Sequence, residues 1–119
     1  MQTGDWWNGL FESIDSKETP RFLEFLTADA EFRFGSAPGV HGHEAIGAAV
    51  NAFFGVIAAS RHRMIRRWED TDSAVCEGEV TYTRLDGSQV TLPFTNVFYL
   101  RDGKIARYLI YIDQSPLFA

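Results

Sequence analysis

From residue 61 to residue 113 the chain reads as four long strand-like stretches, 61–70, 74–85, 89–101 and 104–113, separated by Asp70-Thr71-Asp72-Ser73, Asp86-Gly87-Ser88 and Asp102-Gly103. Short breaks of Asp, Gly and Ser are tight-turn chemistry, and strands joined by tight turns are antiparallel neighbours. Much of the chain is thereby committed to one meander, so whatever precedes it has to cover a face of that sheet.

The preceding residues carry helical periodicity instead. Trp7, Leu10, Phe11 and Ile14 share one face of a helix from Asp5, placed to cap it, to about Lys17. Thr19-Pro20 restarts a second helix in the N-cap, N1 pattern, with Phe22, Leu23, Phe25 and Leu26 as its apolar side and Ala28-Asp29-Ala30 as its close. Glu31-Phe32-Arg33-Phe34 alternates as a short strand and runs into the turn-rich Gly35-Ser36-Ala37-Pro38-Gly39. From about His43, the residues Ile46, Val50, Phe53, Phe54 and Ile57 recur at helical spacing until just before Ser60. Three helices followed by a meander is the order of an α+β domain, helices packed on one face of a curved, mainly antiparallel sheet. With 119 residues and no repeat or linker, the expectation is a single domain over 1–119.

Composition then excludes whole classes of function. The chain is 45% hydrophobic and 14% aromatic, well above a disordered segment. No apolar run approaches the roughly 20 residues of a membrane span, and Met1-Gln2-Thr3-Gly4-Asp5 lacks the basic start of a signal peptide, so a soluble, cytoplasmic protein is expected. The net charge is −5, carried by the first 60 residues with eight acids against three bases, which argues against a nucleic-acid partner. Cys76 is alone, so no internal disulfide and no multi-cysteine metal site can form. His41, His43 and Glu44 lie close together, but their spacing matches no ligand pattern and suits a helix start. There is no Gly-x-Ser-x-Gly elbow, phosphate loop, dinucleotide fingerprint or His-Glu-x-x-His, so neither a cofactor nor a metal is implied.

Period-two alternation divides the strands into faces. Glu77, Glu79, Thr81 and Thr83 fall on one side of their strand and Val80, Tyr82 and Arg84 on the other, while Leu92, Phe94, Asn96 and Phe98 share a side of the next. The last strand sets Tyr108, Ile110 and Ile112 against Arg107, Leu109, Tyr111 and Asp113. Both of its faces are substantially apolar, which suggests a second surface to bury, and a homodimer interface is the economical expectation.

The order and spacing of these signals resemble the nuclear transport factor two-like superfamily of cone-shaped α+β barrels, and within it the SnoaL-like and ketosteroid-isomerase-like small proteins. Ala28-Asp29-Ala30-Glu31-Phe32 is similar to the "D-D-A" that opens the family's first strand, and His41-Gly42-His43-Glu44-Ala45-Ile46 to its "h-G-r-e-a-I" before the third helix. Asp102-Gly103-Lys104-Ile105 and Tyr111-Ile112-Asp113 are similar to the closing "D-G-K-I" and "Y-x-D". The resemblance implies an apolar pocket between the helices and the concave sheet, and a convex face that dimerises.

It does not imply one activity, because this fold hosts many. The ketosteroid isomerase set implies a carboxylate base near Phe32 to Phe34, a Tyr near Leu10 and a protonated Asp at Asn96, and only Asn96 could serve. The epoxide hydrolase relay falls on Glu79, Thr81 and Ile110, with helpers at Phe32 and Phe34, and is absent. SnoaL-like cyclases imply a pocket carboxylate, for which Glu79 and, nearer a strand end, Glu77 are placed best. Glu79 is then either a base with a pKa raised by desolvation or one half of an ion pair with Arg63, Arg66 or Arg67. Asn96 and Tyr108 either orient a ligand oxygen or are satisfied core groups. On the basic stretch Arg61–Trp68, alternation puts His62, Met64, Arg66 and Trp68 on one face, which is either a substrate-facing surface or a solvated one.

The sequence therefore predicts a pocket protein acting as an isomerase, cyclase or hydrolase by general acid/base chemistry on a small apolar molecule. The alternative is a non-catalytic ligand-binding or scaffold homodimer. The expected catalytic residues are Glu79, Asn96 and Tyr108. The expected lining is Trp7, Phe11, Phe32, Phe34, Phe53 and Phe54 from the first half, and His62, Arg66, Trp68, Thr81, Phe94, Phe98, Ile110 and Ile112 from the strands.

Overall fold

The computed structural model describes residues 5–119, and the reading of Met1-Gln2-Thr3-Gly4 as no leader, like the capping role of the Asp5 side chain, lies outside the described residues. Helix α1 (Asp5–Asp15) presents Trp7 and Leu10, both fully buried, with Phe11 beside them. Each such side chain withdrawn from water contributes about 1.5–3 kcal/mol, far more than the intrinsic propensity of a helix this short. Helix α2 (Thr19–Leu23) has Pro20 in its first turn but ends sooner than the apolar spacing predicts. Leu26 already belongs to strand β1 (Leu26–Phe34), because it pairs with Ile105 of the last strand. The two-residue β2 (Val40–His41) leads into α3 (Gly42–Phe54), which buries Ile46 and Val50. Lys17, in the left-handed region at φ 55°, swings its ammonium onto the carbonyls of Phe54 (3.0 Å) and Ile57 (2.8 Å). A cation there satisfies unpaired acceptors at the negative end of α3 and ties it to the end of α1.

The meander follows as β3 (Ala59–Glu69), β4 (Ser73–Thr83), β5 (Gln89–Arg101) and β6 (Lys104–Tyr111), and a 3-10 turn closes the chain at Ser115–Phe118. The sheet order is β2-β1-β6-β5-β4-β3, antiparallel throughout except that β1 runs parallel to β6. The helices cover its concave face, where Trp7, Phe22, Ile46, Phe98, Ile105 and Tyr108 form the centre of the core. No helix among the described residues is long and apolar enough to cross a membrane.

Three details of register decide which side chains look inward. On β4 the buried residues are Ala74, Cys76, Val80 and Tyr82, so Glu77, Glu79, Thr81 and Thr83 take the convex face. Gly78 shares the inner set for lack of space: a Cβ there would lie 2.5 Å from the Arg63 carbonyl oxygen and 2.8 Å from the Phe94 ring. On β3 a bulge intervenes, since Met64 pairs with Gly78 but Arg66 pairs with Glu77. The extra residue reverses the alternation. Arg66 and Trp68 consequently leave the face they would share with His62 and stack on each other outside, with the guanidinium 5.1 Å from the ring centroid.

Candidate functional site

Between α1, α2, α3 and the concave sheet lies a cavity of about 340 Å³. Its walls come from every layer: Phe22 of α2, Phe32 and Phe34 of β1, Phe53 and Phe54 of α3, and Phe94, Ile110 and the following Ile112 from the last strands. Phe34 and Phe53 pack at 5.0 Å, and Phe53 meets the Tyr82 ring edge-on at 5.4 Å. Toward solvent the lining ends at Ala37, Gln114 and Phe118, whose ring is 61% exposed. Arg84 holds that closing turn by donating to the carbonyls of Leu117 (3.1 Å) and Pro116 (2.9 Å).

His62 lines this cavity and is bound to Asp15, the last residue of α1. Asp15 Oδ1 accepts from His62 Nδ1 at 2.6 Å and from the Ser60 hydroxyl at 2.8 Å, while Oδ2 accepts from the His62 backbone N–H at 2.8 Å. Burial alone would push the Asp15 carboxyl up, but the hydrogen bonds and charge of His62 and the Ser60 hydroxyl outweigh it and hold it below its ordinary value of 3.8. An ionised carboxylate only accepts, so Nδ1 carries a proton in either state of the ring, and in the neutral imidazole the lone pair falls on Nε2. Phe11 stacks on the imidazole at 5.0 Å and Phe94 meets it edge-on at 5.5 Å, which leaves the side chain 12% exposed. The tautomer and the orientation of the ring are both fixed before any ligand arrives.

The remaining polar groups of the lining are those of Asn96, Tyr82, Tyr108, Ser60 and Gln114. Tyr108 is packed among Phe22, Phe32 and Phe98, and burial pushes its hydroxyl well above its ordinary value of 10. Tyr82 is raised too, by burial first and by the negative charge of Asp15 second. Both phenols are therefore protonated donors at neutral pH. Asn96 is 2% exposed, and its Oδ1 has no hydrogen-bond partner among the described residues. Cys76, behind Asn96, has its thiol pushed up to about 12 by burial, which leaves it no thiolate character.

The structure thus brings Asn96, Tyr108 and His62 to one cavity and takes Glu79 away from it. Glu79 lies on the convex face and accepts from Arg63 at 2.6 Å, the ion pair that the sequence offered as its other reading. Thr81 is on the same outer face, hydrogen-bonded to Thr91 at 2.9 Å, and Arg66 and Trp68 are outside as well. Trp7, Phe11 and Phe98 are core residues behind the wall rather than lining. His43 Nε2 donates to the Leu26 carbonyl at 3.1 Å, in keeping with its position at a helix start. The residue missed by sequence reasoning is Asp15. Its signal was present, because Asp15 follows Phe11 by four residues and so continues the apolar stripe of α1 with a carboxylate.

A family model described as a SnoaL-like domain matches residues 7–108. Among curated proteins none matches the chain in sequence. Solved structures share the fold at low identity. An NTF2-like protein of unknown function from Burkholderia pseudomallei is 19% identical with a TM-score of 0.85, covering 94% of this chain and 91% of that one. TerC, co-crystallised with polyporic acid, is 21% identical with a TM-score of 0.82 over 94% and 92% of the two chains. A proposed polyketide cyclase from Pseudomonas putida is 21% identical with a TM-score of 0.81 over 97% and 94%.

Proposed function

This chain belongs to the SnoaL-like domain family, and from that premise we propose that it is a general acid/base catalyst of the isomerase or cyclase kind, working on a small, largely apolar molecule through His62 rather than through Glu79. The observation that carries the reading is the Asp15–His62 pair, with Nδ1 held at 2.6 Å and the ring set in the wall of the aromatic-lined cavity. A carboxylate behind an imidazole fixes the tautomer and stabilises the imidazolium that forms when Nε2 takes a proton. The chemistry it suits is proton transfer next to a carbonyl. The C–H proton passes to Nε2, its electron pair becomes a C=C bond, and the carbonyl oxygen gains the negative charge. Tyr108 supplies a phenolic O–H for that oxygen. Return of the proton from the imidazolium to another carbon gives an isomer, and attack of the enolate carbon on a second carbonyl closes a ring. The co-crystallisation of TerC with polyporic acid supports a small-molecule occupant for this fold.

The test is exchange of the acidic C–H protons of 2-tetralone in heavy water, followed by NMR. The protein should accelerate exchange, and His62→Gln, which keeps a polar side chain of similar reach, should lose about 10²- to 10⁴-fold of that acceleration. Equal rates for the two proteins, or no acceleration by either, would reject the reading. We further infer that the protein is a homodimer through the convex sheet face, where the exposed rings of Tyr99 and Tyr111 lie.

A further inference from the structure

We propose that the cavity recognises an uncharged ring compound of one or two rings bearing a hydroxyl, a phenol or the enol form of a ketone, whose O–H donates to Asn96 Oδ1. What happens to that ligand rests on the acid/base reading above, whereas its recognition does not.

Size sets the first limit. A volume of about 340 Å³ is at the low end of small-molecule sites, which run from about 300 to 1,000 Å³, so an extended polycycle has no room. The walls are mostly flat: Phe22, Phe32, Phe34, Phe53 and Phe94 present faces and edges on which an aromatic or alicyclic ring packs well.

Charge sets the second. No Lys, Arg, Asp or Glu is among the described residues lining the cavity. A carboxylate or phosphate would lose its hydration there, and His62, the one group of that lining able to carry positive charge, is already engaged by the ionised Asp15.

The third limit is the polar end. Asn96 borders the cavity, is almost wholly buried, and has an oxygen that nothing in the described chain satisfies. Buried acceptors left unpaired are rare because they are costly, and a ligand donor recovers that cost. Register places Tyr108 nearby: Asn96 pairs with Ile110 and Phe98 pairs with Tyr108, so the two polar side chains are diagonal neighbours on the inner face of β5 and β6. Tyr108 brings a protonated phenol and Asn96 an unmet acceptor. A hydroxyl is the smallest group able to accept from the first and donate to the second, whereas an ether or ketone oxygen can only accept. The site therefore matches the enol side of a keto–enol pair better than the ketone side.

Isothermal titration calorimetry with three probes of one skeleton decides this: 2-naphthol, 2-methoxynaphthalene and 2-naphthoate. The protein should bind 2-naphthol about tenfold or more tighter than the methyl ether and should not bind the carboxylate. Asn96→Leu should bring the two neutral probes within about twofold of each other by weakening only 2-naphthol. Equal affinities in the native protein, a ratio that survives Asn96→Leu, tightest binding of the carboxylate, or no binding of any probe would each overturn the proposal. Should Asn96→Leu not fold, the native comparison of alcohol, ether and carboxylate still decides. A protein that prefers 2-naphthol yet leaves 2-tetralone unexchanged keeps this ligand class and rejects the acid/base reading. One that exchanges 2-tetralone but binds alcohol and ether alike does the reverse.

Discussion

The chemistry of the site turns on one carboxylate that is half-buried and still ionised. Asp15 gives up hydration and recovers it from three donors, the His62 ring, the His62 backbone and the Ser60 hydroxyl. Its pKa in the folded chain is lower than its ordinary value of 3.8, so the stability it contributes is present above that ordinary value and is lost as pH falls through the lowered one. The window is therefore acidic, below about pH 4. Asp15→Asn keeps the shape but removes the charge and one strong acceptor, and should cost about 1–3 kcal/mol at neutral pH. In urea unfolding measured from pH 7 down to pH 3, the gap between native protein and variant should begin to shrink at the acid end, as the pH falls below the ordinary carboxyl value toward the lowered one. A gap that stays constant with pH would mean that folding does not lower the pKa of this carboxyl.

At the scale of the strand, the place of the Phe94 ring in the cavity wall depends on β4 having no side chain at Gly78. The Phe94 ring crosses β4 there, and a methyl group would meet it at 2.8 Å and the Arg63 carbonyl at 2.5 Å. Gly78→Ala should therefore destabilise the fold by about 1–3 kcal/mol through overpacking and slow 2-tetralone exchange by moving the ring that flanks His62. Gly55→Ala is the control, since its nearest contacts are ordinary ones at 3.4 Å and beyond. Matching denaturation midpoints for the two variants would remove this account of the inner face. The same strands show what was legible in advance. Helices followed by a meander could be read from periodicity and turn residues, as could the common inner face of Phe94, Asn96 and Phe98, because both signals are local. The bulge between Met64 and Arg66 could not, since no residue there is a Gly or Pro that announces it. Nor could the choice of inner face on β4, where alternation separates Glu79 from Val80 without saying which side the helices cover. The parallel pairing of β1 with β6 and the contact of Asp15 with His62 join residues far apart in sequence, and such contacts are settled only by the packing of the whole chain.

The molecule as a whole has one sheet and helices on only one of its faces, so the convex face must meet either water or a second copy. Its chemistry is divided. Three ion pairs lie outside the core, Glu79 with Arg63, Asp29 with Arg101, and Glu31 with Arg107, whose guanidinium sits over the Tyr99 ring; solvent screens them and they add little to stability. Along β5 and β6 lie Tyr99, 43% exposed, and Tyr111, 58% exposed, large rings that a monomer leaves in water. Exposed tyrosines with an arginine stacked on one of them are residue types enriched at subunit interfaces. Sedimentation equilibrium should accordingly report about twice the chain mass of 13.4 kDa, and Tyr111→Glu should bring it to the monomer by placing a charge where a ring was buried. The cavity lies on the other side of the sheet, so the monomeric variant should still bind 2-naphthol with native affinity. A native protein that sediments as a single chain at high micromolar concentration would refute the dimer and leave the site untouched. A Tyr111→Glu monomer that has lost 2-naphthol binding would show instead that the pairing of sheets shapes the cavity through β6, the strand that carries both Tyr111 and Tyr108.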